Sequence, residues 1–153
     1  MNDSEVDAKK IEALGEHQEA IGNLYHIYSE RSPDFSQFWS QLADDKFRHV
    51  IWINAMLDGV RQGKVRLNRN RFQMEAIRAA LQFVRRQISS ARKRSVSFKQ
   101  AFPVAVSIET TILDKNFFEA FESDLPELRK LTGKLLEETK DHLEKLRAET
   151  SPG

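Results

Sequence analysis

A two-helix unit occurs twice in this chain, and the second copy follows the first in constant register. The first copy reads EHQEAIGNLY from Glu16, SPDF around Pro33, and LADDKFRH ending at His49. The second reads ETTILDKNFF from Glu109, LPEL around Pro126, and LLEETKDH ending at His142. Glu16 and Glu109, Asn23 and Asn116, Asp45 and Glu138, and His49 and His142 all stand 93 positions apart. Phe35, Phe38 and Leu42 correspond in the same way to Leu128, Leu131 and Leu135. The repeat duplicates a carboxylate on one helix and a carboxylate–histidine pair on the next, so it constrains both the architecture and the chemistry.

The chain has 153 residues, which favours one domain spanning 1–153 with a sizeable core. It has no cysteine, which excludes disulfides, thiolate metal sites and cysteine nucleophiles. No apolar run approaches the ~18–20 residues of a membrane span. The stretch MNDSEVDAKK is too acidic and polar for a signal peptide, so a cytoplasmic location is expected. Net charge is +1, yet residues 61–94 hold eleven Lys/Arg against the single acid Glu75.

Helical periodicity accounts for most of the chain. Residues from about 4 to 30 read as a first helix, with Leu14, Ile21, Tyr25 and Tyr28 at heptad-like spacing. A second row, Ala13, Glu16, Ala20, Asn23 and Ile27, places Glu16 on or beside the buried face. Ser32-Pro33-Asp34 reads as a helix start. The stripe Phe35, Phe38, Leu42, Asp45, His49, Trp52, Met56 follows, and Gly59 and Gly63 end it. Residues 64–71 read as a loop and 72–94 as a helical crossover.

The second half opens on Ser97-Phe98-Lys99-Gln100, a capping-box pattern, with Pro103 in the early turns. Val106, Glu109, Leu113, Asn116 and Ala120 repeat the buried row of the first helix. The last helix runs from near Asp124–Pro126 to about residue 148, and residues 149–153 are expected to fray. Hairpin one (about 4–60), crossover (about 61–96) and hairpin two (about 97–148) together predict an all-α four-helix bundle. His17 and His26, whose counterparts are Thr110 and Glu119, read as surface residues.

The repeat would bring Glu16, Asp45, His49, Glu109, Glu138 and His142 together in an apolar seam. Four carboxylates and two imidazoles buried there need compensation, which two Fe or Mn ions would supply. The segments LADDKFRH and LLEETKDH, the crossover ALQFVRRQISSARKR, and SVSFKQAF resemble the rubrerythrin branch of the ferritin-like superfamily, over about residues 10–146. That resemblance implies a ferritin-like bundle holding a di-iron carboxylate site. Glu16 and Glu109 would be bridging carboxylates, and His49 and His142 would each terminate one metal. The family carries a ligand Glu three residues before each His; this chain has Lys46 and Thr139 there. Asp45 and Glu138, four residues before, would stand in, since residues four apart on a helix share a face. Alternatively, Lys46 reaches into the site and its ammonium replaces a metal cation.

Two functions follow. The first is a rubrerythrin-like metal-dependent oxidoreductase handling peroxide, oxygen or Fe(II), using an external electron donor because no cysteine is present to hold an iron centre for electron entry. The second is a metal-free ferritin-like bundle acting as a binding protein through its basic crossover, residues 61–94, toward an anionic partner. A homodimer is expected in either case.

Overall fold

The computed structural model describes residues 2–68, 73–93 and 97–150, with the side chains of Phe98 and Thr150 outside the description. The crossover residues 69–72 and 94–96, and the fraying expected for 151–153, lie outside the described residues. The chain is mostly helical. Helix α1 (Asp3–Arg31) leads through a 3-10 turn at Pro33–Phe35 into α2 (Ser36–Arg61). A short strand β1 (Val65–Leu67) precedes α3 (Met74–Lys93); α4 (Phe98–Asp114), strand β2 (Phe121–Ser123) and α5 (Pro126–Thr150) complete the order.

Local chemistry sets the helix ends. The Asn2 side chain accepts a hydrogen bond from the Glu5 N–H at 2.8 Å, capping α1. The Gln100 side chain accepts one from the Ser97 N–H at 3.2 Å, and α4 starts at Phe98, ahead of Pro103. Pro126 occupies the first position of α5, where its missing N–H costs nothing.

Helix α4 stops earlier than its apolar row predicts. Asn116 takes a left-handed conformation (φ 55°), which closes a helix end. Phe117 and Phe118 then turn into the core. As a result Asn116 is exposed and Leu113 only half-buried; the buried row of α4 is Phe102, Ala105, Ile108, Glu109 and Ile112. The segment beyond forms β2 instead of more helix. It pairs antiparallel with β1, with Val65 opposite Ser123 and Leu67 opposite Phe121, so the supposed 64–71 loop contributes a strand.

Helices α1 and α2 run antiparallel in close contact. Gly22 allows this: a Cβ there would lie 2.7 Å from the Phe47 ring. Helix α5 lies against both α2 and α4, while α3 packs on the outside of α1. The core at one end is aromatic: Tyr25, Tyr28, Trp39 and Phe102 make ring contacts, with centroids 4.9 Å apart for Tyr28–Trp39 and for Trp39–Phe102. Among the described residues, no helix is long and apolar enough to cross a membrane.

Candidate functional site: an internal ion network

The most deeply buried row of α2 is Trp39, Leu42, Lys46, His49, Ile53, Met56 and Val60, at alternating spacings of three and four. Its counterpart on α5 is Leu135, Thr139, His142 and Leu146. The deepest seam therefore carries Lys46 and Thr139. Asp45 and Glu138 lie one position off it, at the edge, with side chains 16% and 25% exposed.

Lys46 Nζ lies 2.7 Å from Glu109 Oε1, and neither side chain has any exposure. The other Glu109 oxygen accepts a hydrogen bond from the Tyr25 hydroxyl at 2.8 Å. His142 Nδ1 stands 3.2 Å from Glu109 Oε1, and its Nε2 stands 2.9 Å from Asp45 Oδ2. His49 is held in the same manner: Nδ1 is 3.2 Å from Gln18 Oε1 and Nε2 is 3.1 Å from Glu138 Oε1. Arg48, on the solvent side, donates to Asp45 Oδ1 and to Glu138 Oε1, each at 2.8 Å. The two imidazoles stack with centroids 5.9 Å apart.

The two histidine sets differ at Nδ1, which faces an amide in His49 and a carboxylate in His142, and in the edge acid at Nε2, Glu138 against Asp45. Both nitrogens of His142 face carboxylate oxygens, so only the doubly protonated ring can donate to both. Burial opposes this charge, but the hydrogen bonds to Asp45 and Glu109 outweigh it and raise the His142 pKa. His49 faces a neutral amide on one side. Burial first, then the charges of Lys46 and His142, push its pKa down to about 2.

The neutral His49 ring can donate from Nε2 to Glu138. Among the described residues Gln18 Nε2 has no hydrogen-bond partner, and with the amide turned over it would donate to the ring's Nδ1. Burial also disfavours charge on Glu109, yet Lys46 and then His142 hold its carboxyl well below the ordinary range. Burial and the Glu109 charge push the Tyr25 hydroxyl well up, so it remains a donor. With His142 charged, three cations (Lys46, Arg48, His142) balance three carboxylates (Glu109, Asp45, Glu138).

Five of the six side chains singled out in the sequence converge here: Asp45, His49, Glu109, Glu138 and His142. Glu16 does not. Its side chain is 59% exposed on the outer side of α1, 3.7 Å from Arg85. The α1 residue that meets a histidine as Glu109 does is Gln18, 91 positions before it rather than 93. The same two-residue correction moves His17 inward, to the level of Ile108. It is 1% exposed, edge-on to Phe117 at 5.8 Å, and burial followed by Lys46 pushes its pKa down to about 3. His26 is a surface residue, 3.4 Å from Glu30. Trp52 is half-buried, stacked on His49 and covered by Arg48 and Lys134.

These donors, as arranged, do not fit a pair of divalent ions. The expected α1 bridging carboxylate is on the outside and a neutral amide is in its place. A lysine ammonium is ion-paired with the other bridging carboxylate, and Arg48 and the two rings engage both edge acids. Among the described residues, no group of three or more His, Asp or Glu is arranged to hold a metal ion. No protein-family model, curated protein or solved structure matches the chain.

Proposed function

We propose that this chain is a metal-free ferritin-like bundle, two related hairpins joined by a helical crossover, that works as a binding protein. The Lys46–Glu109 pair at 2.7 Å, wholly buried, carries this reading. A divalent ion and an ammonium group compete for the same carboxylate, and the ammonium is covalently attached. The hairpin kinship is supported by the matched settings of His49 and His142. The binding role is supported by the outer position of α3 and its arginines.

The rubrerythrin-like oxidoreductase with two Fe or Mn ions is the second reading. Its support is that two imidazoles and three carboxylates do lie within one network. It requires Lys46 to withdraw from Glu109, leaving a buried ammonium without its partner. Metal analysis of protein purified from iron- and manganese-supplemented medium separates the two. The metal-free reading expects trace metal unchanged by His49→Ala. About two ions per chain, lost on that substitution, would establish the second reading instead.

A further inference from the structure

Helix α3 is held on one side only. Ile77, Ala80, Leu81, Val84 and Ala91 are buried, mostly against α1, and the opposite side faces solvent. The edge of that side nearest α1 carries Arg78, Arg85 and Arg92 at seven-residue intervals, beside Glu12, Glu16 and Glu30 of α1, and Gln82 and Ser89 lie further out, all exposed. An adjoining row carries Arg86 and Lys93. At ~1.5 Å rise per residue, the three arginines stand about 10 Å apart along a straight axis and span about 21 Å. Glu75, in the first turn, is the only carboxylate in α3. Among the described residues, Arg85 alone of the five cations meets a carboxylate, Glu16 at 3.7 Å. The side chains between the cations are serines, alanine and glutamine, so they leave low ground where an extended polyanion can approach.

We infer that the outward face of α3 docks the phosphodiester backbone of a nucleic acid without reading its bases; this rests on the proposed binding role. Four of the five cations are arginine, whose planar fork matches two oxygens of one phosphate. Among the described residues the face offers donors to a backbone and no exposed aromatic side chain to a base; Phe83, on its flank, is half-buried against the core. A lipid surface is the poorer occupant, because a helix that lies in a bilayer turns its apolar side to the lipid, and here that side is buried in the core.

The test is fluorescence anisotropy with a labelled 20-base-pair duplex of arbitrary sequence, poly-glutamate, and phosphatidylcholine–phosphatidylserine vesicles as parallel probes. With four phosphates contacted, duplex affinity should fall about 100-fold between 50 and 200 mM salt, whatever the sequence. The Arg78→Gln/Arg86→Gln/Lys93→Gln variant should bind at least 10-fold more weakly and lose about 2–3 units of salt slope. A charge-matched variant on α5, Lys130→Gln/Lys140→Gln/Lys145→Gln, should bind as the parent does. All six sites are exposed, and far-UV circular dichroism checks that both variants fold. Equal or tighter binding to poly-glutamate or vesicles would overturn the phosphodiester assignment while leaving a binding role standing. Equal loss in both variants would also overturn it. No binding to any of the three probes at low salt would remove the binding role itself.

Discussion

Lys46 of α2 and Glu109 of α4 form an ion pair, 2.7 Å from Nζ to Oε1, with no solvent contact on either side chain. Removing one member of a buried pair leaves the other charged and uncompensated, at a typical cost of about 3–5 kcal/mol. We expect Lys46→Met to destabilise the fold by that order. Glu109→Gln should also cost, because His142 and Tyr25 lose the same carboxylate. The double variant should be less destabilised than the sum of the two, and urea unfolding of the four proteins measures the coupling. Additive losses would mean that the two groups do not compensate each other.

The contrast between Gln18 and Glu109 leads to a second expectation. Each ring faces an edge carboxylate at Nε2, Glu138 for His49 and Asp45 for His142, but at Nδ1 His49 faces an amide and His142 a carboxylate. Gln18→Glu should therefore raise the His49 pKa from about 2 toward its ordinary value of 6.5. Nuclear magnetic resonance titration of the ring carbons reads this directly. A His49 that still does not titrate would mean that burial and the neighbouring cations, rather than the missing carboxylate, decide its charge.

How much of this was legible in the sequence depended on which pattern carried it. The helices were legible because apolar residues at spacings of three and four allow little else. The two histidines and their edge acids were legible because all four lie on the second helix of each half, where the 93-residue register holds. The 93-residue register does not extend to the first helices, where the burial pattern needs 91, and so it points to Glu16 instead of Gln18. The heptad row Leu14, Ile21, Tyr28 already pointed inward, and Gln18 lies on it while Glu16 does not. The apolar stripe of α2 runs through Asp45 when lysine is assumed to be exposed, and only the position of Lys46 three residues before His49 signals that its ammonium can reach the site. Nothing in the apolar pattern announced the left-handed Asn116 that shortens α4, since Phe117, Ala120 and Phe121 continue the hydrophobicity for a different reason.

The buried charges also set a dependence on pH. His17 and His49 are neutral in the fold, with pKa values of about 3 and about 2 against 6.5 unfolded. Between those values the unfolded chain binds protons that the folded one does not, so stability rises with pH, by up to ~1.4 kcal/mol per pH unit for each ring. Asp45 and Glu109 have lowered folded values, so their stabilisation is present above the ordinary carboxylate range and lost as pH falls through those values. His142 has a raised value, so its stabilisation is complete below 6.5 and lost as pH rises through its folded pKa. We expect stability to climb from pH 4 to about 6.5 and to ease on the alkaline side. Replacing His49 by Gln should flatten the acid limb. A limb unchanged by both His49→Gln and His17→Asn would show that these rings are not buried as neutral groups.

The metal question can be put to the chain in both directions. Ligand binding to the folded state alone stabilises it, by about 2.7 kcal/mol at one hundred times the dissociation constant. The parent should show no shift in melting temperature with Mn(II) or Fe(II) under anaerobic conditions. Positions 46 and 139 are wholly buried, three residues before His49 and His142. Gln18→Glu/Lys46→Glu/Thr139→Glu should therefore create a set of carboxylates and imidazoles that holds divalent ions, with a metal-dependent rise in melting temperature. A metal-dependent rise in the parent would reverse the proposed assignment, whatever the triple variant does.

Two glycines give an opposed pair of outcomes that tests the α1–α2 packing. A Cβ at Gly22 would lie 2.7 Å from Phe47 Cε1 and 3.0 Å from two further ring atoms. Phe47 is half-buried between helices and cannot swing far without exposing its ring. We therefore expect Gly22→Ala to cost about 1–3 kcal/mol, the usual penalty for overpacking. Phe47→Leu in the same chain should return part of it by clearing the ring from the contact. Gly133 is also helical, but a Cβ there meets nothing within 4 Å. Gly133→Ala should stabilise by about 0.5–1 kcal/mol, because alanine restricts the unfolded chain and favours helix. Urea midpoints at unchanged slope measure all three. If Gly22→Ala were as benign as Gly133→Ala, the two helices would have room to separate. The register that brings His49 to Gln18 would then rest on their hydrogen bond rather than on close backbone packing.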